Sequence, residues 1–232
     1  GWFDEVAVFD LAAGRLLRRH ALPGQTHGLL FLPDHPTLVV GKEGRLALLR
    51  DEEKPVAQIE APAAAFLDLG WGANGLLARD AAAQKLQSFS YRSLPVERRG
   101  AVAGVPVWAM APGPDGSRLF LGTSDGRLHR YDLATSTLAT RAQHSQGVTS
   151  VVVLGNRVVT ASDDKTIALW DADRLHVTAR SKAHSYLVNS LFWEEATSTL
   201  WSTSSDHSIK AWRLPELTEQ ERIAPGGGSK AG

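Results

Sequence analysis

The sequence predicts an all-β fold in which four-stranded antiparallel units follow one another along the chain. An aromatic or aliphatic anchor recurs every 39 to 42 residues of the 232-residue sequence, and this spacing fits one four-stranded unit. Each anchor lies in a short segment of alternating polarity, which is typical of strands. No segment keeps a helical period. The anchors are Phe9, Leu49, Phe89, Tyr131, Trp170 and Trp212.

The first three repeats are the weakest, and their strands are read from alternation and from turn residues. The chain opens inside a repeat, with strands over residues 4–10 and 16–22 around the turn at Ala13-Gly14. The next two repeats each contain four short apolar segments, which we expect to be strands. These segments cover residues 27–32, 37–41, 45–50, 56–60, 66–71, 75–79, 85–91 and 96–99.

The last three repeats have stronger signals. In the fourth, Gly113-Pro-Asp-Gly116 predicts a tight hairpin turn between two strands. The fifth starts at His144, contains the apolar run 148–154 and ends on Trp170-Asp171. The sixth starts at His184 and ends on Trp212-Arg213.

A His near the start and a Trp-Asp pair near the end make this unit similar to a WD40 repeat, one blade of a β-propeller. The resemblance implies a WD40-type propeller over residues 1–224, with five complete blades after an N-terminal half blade. It also implies that these blades are part of a larger ring, for which we expect seven blades, with a six-bladed ring containing one incomplete blade as the alternative. We expect the Gly-rich residues 225–232 to form a flexible tail. The half blade covers residues 1–22, and the blades cover approximately 26–60, 65–100, 105–142, 145–181 and 185–224.

Polar residues precede the anchors at fixed distances. Ser162 and Asp164 lie eight and six residues before Trp170. The family resemblance implies a hydrogen-bond chain from the Trp indole through Ser and His to Asp, since a buried indole N–H needs an acceptor. The predicted structural sets are His144, Ser162, Asp164 and Trp170; His184, Ser204, Asp206 and Trp212; and, in part, Thr123, Asp125 and Tyr131.

The same side chains could be read as a catalytic Ser-His-Asp triad. We favour the structural interpretation, because the set occurs twice with a Trp each time and the Gly-x-Ser-x-Gly motif is absent. The eight His are scattered without a close pair, so we predict no metal site. No Gly-rich phosphate loop precedes a helix, and we expect no cofactor.

The composition limits the classes of partner. The sequence has 25 basic and 25 acidic residues and no Cys. A balanced charge argues against general binding to nucleic acid, and no apolar run is long enough for membrane insertion. Without Cys, disulfides and thiolate sites are excluded. With no visible signal peptide, we expect a cytoplasmic protein.

The family resemblance implies a non-catalytic scaffold that binds other proteins or peptides, and we expect it to be the C-terminal propeller portion of a larger protein. The alternative is a propeller enzyme or ligand sensor that uses the central channel, although the sequence offers no converging cluster of carboxylates or His. The family usually binds partners on the face with the loops before the first strand and between the second and third strands. The residues expected there are Trp108, Thr149, Asn189, His27, Lys42, Ser124, Asp163 and Ser205.

Trp108 and the ends of the blade series each need a separate interpretation. Trp108 could anchor a partner or pack between blades. The opening half blade lacks two strands, and the last blade lacks a neighbour. We therefore expect completion of the ring by an upstream segment or by another chain, because unpaired edges and apolar sheet faces associate.

Overall fold

A computed structural model describes residues 5–10, 13–21, 26–31, 38–49, 57–72, 75–80, 85–90, 97–101, 106–224 and 227–231. Every regular element in these ranges is a β-strand, and all the strand pairs are antiparallel. The predicted all-β fold with four-stranded antiparallel sheets is therefore confirmed. No helix in the described ranges is long and apolar enough to span a membrane. The chain divides into two compact units, residues 1–105 and 106–232.

The N-terminal unit contains two sheets. The first is a two-stranded hairpin of β1 (Glu5–Asp10) and β2 (Arg15–Ala21), which turns at Gly14. The second has six strands in sequential order. These strands are β3 (Thr26–Phe31), β4 (Leu38–Leu49), β5 (Ala57–Gly72), β6 (Gly75–Asp80), β7 (Lys85–Ser90) and β8 (Glu97–Ala101).

Strand pairing in this six-stranded sheet changes close to the predicted blade boundary. The sequence predicted a break between the segments 37–41 and 45–50, whereas β4 is continuous over Leu38–Leu49. The first part of β5 pairs with β4 and its second part pairs with β6. Glu60 still pairs with Arg45 of β4, whereas Phe66 pairs with Asp80 of β6.

The C-terminal unit contains three sheets of consecutive strands. The first consists of β9 (Val107–Pro112), β10 (Arg118–Thr123), β11 (Arg127–Asp132) and β12 (Thr137–Ala142). The second consists of β13 (Val148–Leu154), β14 (Arg157–Ser162), β15 (Thr166–Asp171) and β16 (His176–Lys182). The third consists of β17 (Val188–Glu194), β18 (Thr199–Ser204), β19 (Ile209–Arg213), β20 (Thr218–Ala224) and β21 (Gly227–Ala231).

Strand β21 differs from the flexible tail that the composition suggested. It pairs antiparallel with β20, with Arg222 opposite Lys230. An outer strand such as β20 offers free backbone N–H and C=O groups. Backbone pairing needs no side chain, so a Gly-rich segment can still form a strand there.

Apolar side chains from neighbouring sheets of the C-terminal unit form two clusters. One joins the first and second sheets and includes Phe120, Val148 and Trp170. The other joins the second and third sheets and includes Leu169, Leu200 and Trp212. Each sheet of this unit therefore gains stability by packing on the next, as expected for stacked repeats.

Two glycines permit close approach between the first and second sheets. A Cβ on Gly122 would lie 2.4 Å from Val148 Cγ1, so the facing strands could not stay this close. Gly126 has a φ of +81°, and a Cβ there would lie 2.3 Å from the carbonyl oxygen of His144. The second contact brings the turn of one sheet against the loop that opens the next repeat, where the candidate site begins.

Candidate functional site

The first strand of each complete repeat contains the same irregularity near its start. In the C-terminal unit, Val107, Val148 and Val188 pair with the last residues of the second strands, and the register then shifts by one residue. The extra residues of these bulges are Trp108, Thr149 and Asn189. A β-bulge redirects a side chain away from the regular pleat, so these side chains occupy equivalent positions on one rim.

The same register shift occurs in the N-terminal unit. Thr26 pairs with Lys42 and Gly28 pairs with Gly41, which leaves His27 as the extra residue. Phe66 pairs with Asp80 and Asp68 pairs with Arg79, which leaves Leu67. Sequence reasoning identified His27 but missed Leu67, because register is not visible in composition. The described part of His27, Lys42 and Leu67 is the backbone.

The turns between second and third strands lie beside the loops that precede the first strands. Ser124 N–H donates to Pro106, Asp163 N–H donates to Gly147 and Ser205 N–H donates to Leu187, at 3.0 to 3.2 Å. In the last sheet, Ser205 Oγ also donates to Asn189 Oδ1 at 3.1 Å. Within the C-terminal unit, the two kinds of loop therefore lie side by side in each repeat, and in the last repeat the candidate residues Ser205 and Asn189 contact each other.

Trp108 is both packed and exposed, which combines the two interpretations of the sequence. Its ring lies on Gly147 of the next repeat, where a Cβ would come within 2.3 Å of Cζ3. The residue is nevertheless 43% exposed. A large aromatic ring that is braced on one side and open on the other is suited to anchor a partner.

Beneath this rim, the second sheet contains a continuous hydrogen-bond chain. Trp170 Nε1 donates to Thr160 Oγ1 at 2.9 Å, and Thr160 Oγ1 lies 2.7 Å from His144 Nε2. His144 Nδ1 lies 3.0 Å from Asp164 Oδ2. Trp170, Thr160 and His144 are buried, so each polar group in the chain has a partner inside the protein.

The third sheet repeats this chain. Trp212 Nε1 donates to Ser202 Oγ at 2.8 Å, and Ser202 Oγ lies 2.7 Å from His184 Nε2. His184 Nδ1 lies 3.1 Å from Asp206 Oδ2. Both carboxylates also hold the loop before the first strand of their repeat. Asp164 and Asp206 accept the backbone N–H groups of Ser145 and Ser185 at 3.0 Å.

The hydroxyl in each chain is not the one that the sequence suggested. The Trp acceptors are Thr160 and Ser202, ten residues before the Trp, and not Ser162 and Ser204. Strand register explains the difference: Trp170 pairs with Val158, so Thr160 lies about 7 Å along the strand and Ser162 about 13 Å. Only the nearer hydroxyl is within reach of the indole.

Ser162 and Ser204 have another role. Ser162 Oγ donates to the carbonyl of Gln146 at 3.1 Å and accepts the N–H of Asp164 at 3.0 Å. Ser204 Oγ does the same with Leu187, at 2.8 Å, and Asp206. These two serines connect the turn to the first loop of the same repeat. A hydroxyl ten residues before each Trp was the signal that could have identified the Trp acceptors.

The fourth repeat contains only a fragment of this arrangement. Thr123 Oγ1 donates to Asp125 Oδ1 at 2.6 Å and lies 3.5 Å from His129 Nε2. The position ten residues before Tyr131 is Leu121, which is fully buried. Tyr131 is half-buried, and no hydroxyl stands at the position that corresponds to Thr160.

The surroundings of the two histidines favour the neutral ring. Burial lowers the pKa of His144 and His184, although the adjacent carboxylates oppose the shift. Burial would raise the pKa of Asp164, but hydrogen bonds from Thr166 and the nearby His144 outweigh it and lower that pKa. Since the ionised carboxylate accepts, we assign the imidazole proton to Nδ1, which leaves Nε2 to accept from the hydroxyl.

The geometry of these Ser, His and Asp groups indicates a structural role and not a catalytic one. The Ser162 hydroxyl bonds to the backbone of Gln146 and of Asp164, so His144 is not placed to take its proton as a general base. The hydroxyl that does contact His144 belongs to Thr160, which is buried and already accepts the indole N–H. In the described ranges, no group of three or more His, Asp, Glu or Cys could hold a metal ion.

Comparison with known proteins agrees with this arrangement. Residues 135–171 match the family model described as "WD domain, G-beta repeat". Over 94 residues the chain is 33% identical to the angio-associated migratory cell protein of Homo sapiens, a match that covers 40% of this chain and 22% of that protein. Two further relatives are "DDB1- and CUL4-associated factor 10" of Xenopus laevis and "p21-activated protein kinase-interacting protein 1" of Bos taurus.

These two relatives are 30% and 31% identical over 117 and 102 residues. The matches cover 49% and 43% of this chain and 26% and 25% of the relatives. The chain thus spans about a quarter of the length of the curated relatives it matches. A chain in the solved structure "Crystal Structure of Mitotic Checkpoint Complex" superposes with a TM-score of 0.84 at 21% identity. This match covers 95% of the present chain and 72% of that chain, and it shows the fold.

We expect the substitution Thr160→Val to lower the free energy of unfolding by about 1–3 kcal/mol, since it leaves the indole N–H and His144 Nε2 buried without a partner. Urea unfolding followed by circular dichroism measures the change. Thr178→Val is the matched control, because the exposed Thr178 hydroxyl donates only to the carbonyl of Leu169. Adding Trp170→Phe should cost less in the Thr160→Val background than alone. Additive losses would contradict a shared network.

We expect the free energy of unfolding to fall as the pH decreases below about 6.5, the ordinary pKa of His. The pKa values of His144 and His184 are lowered in the folded protein. The unfolded chain therefore takes up protons first, and acid favours unfolding. Urea midpoints at pH 7.5, 6.5 and 5.5 measure this slope. His144→Gln should flatten it, whereas His176→Gln, at an exposed residue, should not. Higher stability at pH 5.5 than at pH 7.5 would exclude this account.

Proposed function

We propose that this WD40-repeat chain is a non-catalytic scaffold that binds other proteins or peptides through one face of its repeats. This face is formed by the bulged first-strand residues and by the turns hydrogen-bonded beside them. We call it the bulge face. Its members in the C-terminal unit are Trp108, Thr149, Asn189, Ser124, Asp163 and Ser205. In the N-terminal unit, His27 and Lys42 are the proposed residues at the equivalent positions of a repeat.

The observation that carries the proposal is the repeated bulge. A bulge interrupts the ladder and is a costly device to keep in successive repeats unless it directs a side chain. Here the redirected residues differ in chemistry, with an indole at Trp108, a hydroxyl at Thr149 and an amide at Asn189. A constant backbone that presents variable side chains is suited to specific recognition of a partner.

The relatives support the same function. One is named as interacting with a protein kinase, and another is named as associated with two other proteins. The similar solved chain belongs to a mitotic checkpoint complex. For the present chain, protein or peptide partners are thus the natural class, whereas the identity of those partners is a separate question.

The alternative function, catalysis or ligand sensing in a central channel, lacks a supporting site in the described ranges. The Ser, His and Asp groups there serve the buried Trp residues and the loops. We therefore propose a scaffold that works without a cofactor and without nucleic acid. A cytoplasmic location is part of the proposal, on the basis of the cysteine-free sequence.

A second interface is suggested by the outer face of the third sheet of the C-terminal unit. Phe192 is 65% exposed and Ile209 is 40% exposed. The matching residues of the preceding sheet, Val152 and Ile167, pack against the third sheet. We infer that a further sheet covers Phe192 and Ile209 and so completes the ring, supplied by an upstream segment or by another chain.

The proposed function is tested by capture of partners followed by a binding measurement. The tagged chain is used to isolate proteins from extracts of its source cells, and each captured protein is then purified and titrated. We expect Asn189→Arg, on the bulge face, to weaken binding by at least about tenfold, as for a residue inside an interface. Gln220→Arg, an exposed residue of strand β20, is the control.

Equal losses in the two variants, or no loss in either, would show that the partner does not use the bulge face. The absence of any protein that binds directly would contradict the scaffold function itself.

A further inference from the structure

Trp108 is held as a rigid platform. Its six-membered ring rests on Gly147, the one residue type that leaves room for it, since a Cβ there would lie 2.3 Å from Cζ3 and 2.6 Å from Cε3. With one side braced in this way, the 43% of the residue that is exposed lies away from Gly147. The indole therefore offers an open aromatic surface whose orientation is fixed before a partner arrives.

The backbone of Asp163 lies beside Gly147, the residue on which this platform rests. Asp163 N–H donates to the carbonyl of Gly147 at 3.0 Å, so Gly147 contacts both residues. Among the described residues, the Asp163 carboxylate has no ion pair or hydrogen bond. Burial, followed by the charge of Asp164, raises the pKa of Asp163. A neighbouring cation would relieve this unfavourable environment.

The cations of the same rim are engaged elsewhere. Arg180 Nη2 bonds to Asp164 Oδ2 at 3.0 Å, and Lys165 Nζ lies 5.9 Å from the centre of the Tyr186 ring. Arg127 lies 3.2 Å from Asp125. In the described part of the chain, no Lys or Arg lies over the Trp108 ring. The open indole and the unpaired carboxylate thus belong to two residues that both contact Gly147, and neither has a cationic partner among the described residues.

We propose that Trp108 and Asp163 together bind an arginine side chain of a partner peptide. The guanidinium plane would stack on the exposed indole, while its N–H groups would donate to the carboxylate. Arg fits this pair better than Lys, because a planar group can stack and form a bidentate ion pair at once. The inference rests on the proposed function and specifies the chemistry of its ligand.

The test uses a nine-residue probe peptide, acetyl-Ser-Arg-Gly-Ser-Arg-Gly-Ser-Arg-Gly-amide, titrated into the ¹⁵N-labelled chain. Trp108 supplies an indole N–H signal that Trp108→Leu identifies. We expect the probe to shift this signal. A peptide with citrulline in place of arginine keeps the shape without the charge, and we expect it to bind at least about threefold more weakly. A lysine version should fall between the two.

Three variants separate the contributions. Asp163→Asn keeps the shape of the side chain, and we expect about three- to tenfold weaker binding together with a smaller dependence on salt. Gly147→Ala displaces the ring from its seat and should weaken binding to a similar extent. Asp173→Asn, at an exposed residue that pairs with Arg118, is the control and should bind as the parent does. Melting curves of all variants establish that each is folded.

Equal binding of the arginine and citrulline peptides, or undiminished binding by Asp163→Asn, would overturn the arginine site. These outcomes are distinguishable from failure of the scaffold function. A captured partner that loses affinity with Asn189→Arg but not with Asp163→Asn keeps the scaffold function and refutes the arginine site. A chain without any direct partner refutes the scaffold function.

Discussion

The buried indole N–H groups of Trp170 and Trp212 impose the constraint on which the last two repeats of the C-terminal unit depend. Each indole fills an intersheet cluster, yet it carries a donor that cannot be left unpaired without a free-energy cost. The hydroxyl, imidazole and carboxylate that follow connect this donor to the loop that opens the repeat. Each hydrogen-bond chain ends on a carboxylate, Asp164 or Asp206, that is ionised because hydrogen bonds lower its pKa.

This internal network also shapes the surface. Asp164 and Asp206 accept backbone N–H groups from the loop that opens each repeat. That loop leads directly into the bulge residue, and Ser162 and Ser204 hold the neighbouring turn against it. The side chains that satisfy the core therefore also fix the bulge face. The interior can stay the same from repeat to repeat while exposed residues such as Trp108 and Asn189 vary.

The sequence predicted the features that depend on periodicity. The anchors every 39 to 42 residues indicated the repeats, and Gly113-Pro-Asp-Gly116 forms the expected turn, with Gly116 N–H donating to Gly113. Features that depend on register were missed. The acceptor of Trp170 is set by which residues face each other across β14 and β15, and this selects Thr160 over Ser162.

Other differences have a related origin. Strand β5 is continuous between two predicted blades, with its first part paired to β4 and its second part paired to β6. Strand β21 forms because backbone pairing does not require side chains. The repeated bulge was likewise invisible in the sequence, although Trp108 and Asn189 were identified from their place in each repeat.

The central claim, that the buried network holds the surface loop, is tested most directly by amide hydrogen exchange at Ser145 and Ser185. Each N–H donates to the network carboxylate of its own repeat. In a folded Thr160→Val variant, we expect the Ser145 amide to exchange at least about tenfold faster than in the parent, while Ser185 keeps its protection. Unchanged exchange at Ser145, or equal acceleration at both amides, would contradict the account.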